Sequence, residues 1–71
     1  MSLVDRVERI INSHPDFMHE DIRVQATDGL VVLTGAVSSV YQRAAVEQLI
    51  QALDGVTGVS NALVVKPERA A

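Results

Sequence analysis

A chain of 71 residues with no cysteine is one small domain, without disulfides or thiolate metal sites. Its formal net charge of −3 weighs against nucleic acid, whose binding needs clustered Lys and Arg facing phosphates. It also weakens any purely electrostatic attraction to anionic membranes, and no apolar run approaches the roughly 20 residues of a membrane span.

Hydrophobic residues make up 48% of the chain, yet Phe17 and Tyr41 are the only aromatics, so the core must be aliphatic. A chain this short buries only about 60% of its unfolded surface, so every apolar face matters. Leu3, Val4, Val7, Ile10 and Ile11 recur at helical spacing, with Asp5, Arg6, Glu8 and Arg9 on the opposite side. Ser2 is placed to cap this first helix, and Pro15 stops it near Asn12 to His14. From Pro15 to Asp21 the chain is polar and acidic, and Phe17 and Met18 are expected to anchor a loop.

Ile22, Val24 and Ala26 alternate with Arg23, Gln25 and Thr27, the period of a half-buried strand. Asp28-Gly29 is a hairpin signal, and Leu30 to Val37 returns as an almost wholly apolar strand. Ser39 and Gln42 match a capping box that opens a second helix from about Val40 to Leu53. Its inward stripe is Ala45, Val46, Leu49, Ile50 and Leu53, with Arg43, Glu47 and Gln51 facing water. Gly55 is expected at the helix C′ position, Gly58 in the turn that follows, and Val59 to Lys66 as a last strand ended by Pro67. The order α-β-β-α-β predicts an α+β two-layer sandwich, with two helices on one face of a three-stranded sheet. Residues 67–71 read as a tail or the start of a linker.

Alternation assigns the faces. With Val24 and Ala26 inward, Val31, Leu33, Val37, Val59, Leu63 and Val65 join them. The outer face then carries Arg23, Gln25, Thr27, Leu30, Val32, Thr34, Ala36, Ala62, Val64 and Lys66. Leu30, Val32, Ala62 and Val64 form an apolar patch there, the candidate interaction surface if Arg23 and Lys66 flank it side by side. Scattered exposed valines in short strands are the plainer reading.

Val24 to Val37, as V-x-A-x-D-G-L-V-x-L-x-G-x-V, resembles the strand-turn-strand signature of the BON (bacterial OsmY and nodulation) domain. Gly55-Val56-x-x-Val59-x-Asn61-x-Leu63-x-Val65 resembles its closing signature. The resemblance runs from about Leu3 to Lys66. It implies an αββαβ domain on a mixed sheet, of a kind found in bacterial envelope proteins beside secretin, lipoprotein or channel domains and associated with phospholipid surfaces. It implies no catalytic residue and no cofactor, and the matched glycines and Asn61 transfer as structural positions. The expected partners are a phospholipid surface or another protein domain. Self-association through the open sheet or an edge strand into a weak homo-oligomer is the alternative. Asp5, Arg6, Glu8 and Arg9 interrupt any signal-peptide stretch. A periplasmic or envelope location therefore goes with excision from a longer chain, and a cytoplasmic one with a complete protein.

Other chemistries fit poorly. A phosphate cradle needs a strand, a glycine-rich turn and then a helix N-terminus. Gly55-Val56-Thr57-Gly58 instead follows a helix, whose C-terminal end repels anions, and no Lys or Arg lies between Leu49 and Val65. The nucleic-acid KH loop has the same glycine spacing but links two helices and is basic. His14, Asp16 and His19 could wrap a metal ion, but the two histidines are not at a ligand spacing. A solvated acidic loop with Asp16 capping a short turn is the preferred expectation. Ser38, Ser39 and Ser60 have no neighbouring His in sequence and serve better as caps and strand positions, so no enzyme is expected.

Overall fold

The computed structural model describes residues 2–67, so the expected tail beyond Pro67 lies outside the described residues. Helix α1 spans Leu3–Ser13. The Ser2 hydroxyl caps it by accepting the Asp5 N–H at 3.1 Å. The next segment turns tightly, with Phe17 buried and Met18 48% exposed, so only the phenylalanine anchors it. The turn is capped by His14, whose Nδ1 accepts the Asp16 N–H at 3.1 Å, and not by the Asp16 carboxylate. The imidazole also packs on Phe17, ring centroids 4.6 Å apart.

Strands β1 (Asp21–Thr27) and β2 (Leu30–Val37) form an antiparallel hairpin in which Thr27 faces Leu30. Asp28 (φ 52°) and Gly29 (φ 85°) both take positive φ, as a two-residue I′ turn requires. Gly35 (φ 111°) is a second backbone constraint in the hairpin. A Cβ there would collide with the Asp21 carbonyl oxygen, so only glycine lets β1 close on β2 at that row.

Helix α2 spans Val40–Gln51. Ser39 Oγ accepts the Gln42 N–H at 3.1 Å, while the Gln42 side-chain oxygen Oε1 reaches back to accept the Ser38 N–H at 3.1 Å, one residue earlier than in a standard capping box. The helix ends at Gln51, two residues short of the expected Leu53, with Ala52 as its C-cap. Gly55 (φ 90°) is therefore not the C′ residue. It sits in the next turn, where the Val56 N–H donates to the Leu53 carbonyl at 3.3 Å. Gly58 lies beyond that turn, as the first residue of β3 facing Leu30.

The last strand comes in two pieces, β3 (Gly58–Asn61) and β4 (Val64–Val65), interrupted at Ala62 and Leu63. Both run parallel to β2 in one continuous register, from Leu30 opposite Gly58 to Val37 opposite Val65. The sheet is therefore mixed, with β2 in the centre, β1 on one edge and β3/β4 on the other. Helix α1 packs over β1 and α2 over β3/β4 on the same side. Between the layers lie Val7, Ile11, Phe17, Val24, Val31, Leu33, Val37, Val46, Ile50 and Leu63. Every strand position expected to face inward is buried or partly buried against this core.

The open sheet face and the Arg43 latch

The face away from the helices is a grid of three columns. Thr27, Gln25, Arg23 and Asp21 line the β1 column opposite Leu30, Val32, Thr34 and Ala36 on β2. Across β2, Leu30 faces Gly58, Val32 faces Ser60 and Ala36 faces Val64. One edge is thus polar, the centre is aliphatic apart from Thr34, and the far column is small and apolar toward Val64. Leu30 is 45% and Val64 54% exposed, and Val32 and Ala36 are half-buried between them.

The two flanking cations are not neighbours. Arg23 stands opposite Thr34, whereas the Lys66 N–H donates to the Val37 carbonyl at 2.8 Å. That places them about 13 Å apart along the strands and about 10 Å across them. Asp21 occupies an intermediate row of the β1 column. Strand parity identifies the face correctly but not the row, so the side-by-side pair expected from the sequence is not formed.

Arg43 is the residue that the sequence reading misplaced most. It does not face water. Its Nε donates to the Leu63 carbonyl at 3.0 Å and its Nη2 to the Asn61 carbonyl at 2.9 Å. Asn61 completes the latch: its amide donates to the Arg43 carbonyl at 2.8 Å, and its side-chain oxygen accepts the Leu63 N–H at 3.2 Å. These bonds hold the segment where β3 gives way to β4. They also occupy the outward-pointing groups of that edge, because the Ala62 N–H is turned inward to the Leu33 carbonyl.

A cleft of about 350 Å³ lies between the 15–20 segment and the start of α2, lined by Pro15, Asp16, His19, Glu20, Ser38 and Gln42. Its polar groups bond mostly to each other. The Glu20 carboxylate accepts the Ser38 hydroxyl at 2.8 Å and the Ser38 N–H at 3.3 Å, and the Gln42 amide donates to the Asp16 carbonyl at 3.0 Å. This is a clasp joining loop to helix. Among the described residues no three His, Asp or Glu side chains converge as a metal site. Ser38 and Ser39 are engaged as clasp and cap, and no helix among the described residues is long and apolar enough to cross a membrane.

A search against curated proteins returned no match. The family model of the BON domain matches residues 2–67, the whole of the helix-hairpin-helix-strand unit described above. The chain belongs to the BON domain family.

Proposed function

We propose that this BON domain is a non-catalytic binding module that docks on a phospholipid surface through its open sheet face. The observation that carries this reading is the largely aliphatic centre of an uncovered sheet: Leu30 and Val32 at one end and Ala36 and Val64 at the other, interrupted by Thr34, with Leu30 and Val64 about half exposed. Arg23 and Lys66 stand on opposite sides of this strip and act as separate headgroup contacts. Membership in a family associated with phospholipid and envelope proteins supports the choice of partner. A periplasmic or envelope-facing location follows from the same reading.

Co-sedimentation with phospholipid vesicles tests it. Binding should strengthen with anionic lipid content. Arg23→Glu and Lys66→Glu should each weaken it about fivefold or more, since a cation near such a surface contributes about 1 kcal/mol. Val64→Asp should weaken binding on neutral and anionic vesicles alike. Failure to sediment with any vesicle composition would overturn the proposal, and a concentration-dependent mass in solution would then favour self-association.

A further inference from the structure

The two edges of the sheet are treated differently. On the β3/β4 edge, the outward carbonyls of Asn61 and Leu63 and the Leu63 N–H are taken up by the Arg43 and Asn61 side chains. On the β1 edge nothing comparable happens. The two-residue turn makes Thr27 and Leu30 a hydrogen-bonded pair, so Arg23 and Gln25 also bond inward to β2. Ile22, Val24 and Ala26 are then the residues whose N–H and C=O groups point off the sheet. No cap, turn or side-chain hydrogen bond among the described residues engages them. Strand β1 runs seven residues without a proline or a bulge to blunt its edge, and its two charged side chains, Asp21 and Arg23, are of opposite sign.

We propose that β1 pairs antiparallel with β1 of a second copy about a two-fold axis at Val24, joining two sheets into one of doubled width. Backbone phase selects this register. Only with Val24 opposite its own mate do three hydrogen-bonding rows form: Ile22 with Ala26, Val24 with Val24, and Ala26 with Ile22. Sliding by one pair in either direction leaves two such rows, and one of those slides sets Arg23 directly against its mate. At the Val24 register Arg23 lies opposite Gln25 and Asp21 opposite Thr27, so no like charges are directly opposed. The two Arg23 side chains meet only diagonally, and each has Asp21 two residues away on the same face. The pairing places two polar β1 columns between two aliphatic strips on one continuous open face.

Arg23 and Gln25 are exposed and form the non-hydrogen-bonded rows, where opposing side chains come closest. Sedimentation equilibrium over a concentration series should show a monomer–dimer equilibrium in the absence of lipid. Gln25→Glu should tighten it about fivefold through two symmetric opposite-charge pairs, and Gln25→Arg should loosen it by a similar factor. Combining Arg23→Glu with Gln25→Arg should restore association toward the native level. A mixture of Arg23→Cys and Gln25→Cys proteins, oxidised together, should yield mainly the mixed disulfide dimer. A dimerisation constant that ignores all three charge variants would overturn the proposal. So would a purely monomeric protein whose cysteine variants crosslink only in statistical proportion.

Discussion

Replacing Arg43 with alanine removes the two donors that hold Asn61 and Leu63 at the break between β3 and β4. A hydrogen bond from a charged donor contributes about 1.5–3 kcal/mol when buried. Arg43 is half-buried and water can reach part of the vacated space, so the combined loss should be about 2–3 kcal/mol. A domain of this length has a total stability of about 4–10 kcal/mol, so the effect is large. The midpoint of thermal unfolding should fall by about 10–20 °C. Urea unfolding followed by far-UV circular dichroism measures it directly. Arg43→Lys keeps the charge but loses the planar fork, and can recover at most one of the two bonds. Asn61→Ala should cost about 2 kcal/mol by itself, through its own two bonds. The double variant should lose less than the sum by about 1 kcal/mol, because the two side chains hold one segment. A loss below about 1 kcal/mol for Arg43→Ala, or full additivity in the cycle, would refute the latch as a stabilising unit.

Two further substitutions probe the frame around the sheet. Gly35→Ala introduces a Cβ that meets the Asp21 carbonyl and a backbone conformation that alanine disfavours, so β1 must part from β2 at that row. We expect a loss of about 3 kcal/mol or more, read as a large fall in the urea midpoint. Ser39→Ala removes the cap of α2 and should cost about 1 kcal/mol, a shift of the urea midpoint that leaves its slope unchanged.

Much of the fold was legible because its signals are local. The Asp28-Gly29 turn, the Ser2 and Ser39 caps and the two-residue alternation each depend on a few adjacent residues, and each is found where expected. Strand parity also placed the aliphatic strip on the face away from the helices. What failed needed distances between elements. Arg43 lies on a helical position that reads as solvent-facing until β3/β4 is laid beside it, and the amide of Asn61 gave no signal of its partner. The break at Ala62 and Leu63 follows from that pairing, not from the apolar run, which reads as one strand. Gly55 carried a real signal of positive φ, but chain spacing alone could not separate the helix terminus from the turn behind it. The separation of Arg23 from Lys66 needed the registers of both the hairpin and the parallel crossover.

The nearly aliphatic core has a spectroscopic corollary. Phe17 is the single aromatic side chain in it, while the lone tyrosine, Tyr41, is 75% exposed. The exposed tyrosine does not sense the packing of Val31, Leu33, Val46 and Ile50, and the phenylalanine ring beside them absorbs only weakly. Tryptophan fluorescence is absent by composition, and near-ultraviolet dichroism is governed by a surface residue. A state that kept its helices but lost its side-chain order would pass unnoticed by both. Methyl resonances of the valines and leucines are the signals that would tell the two states apart.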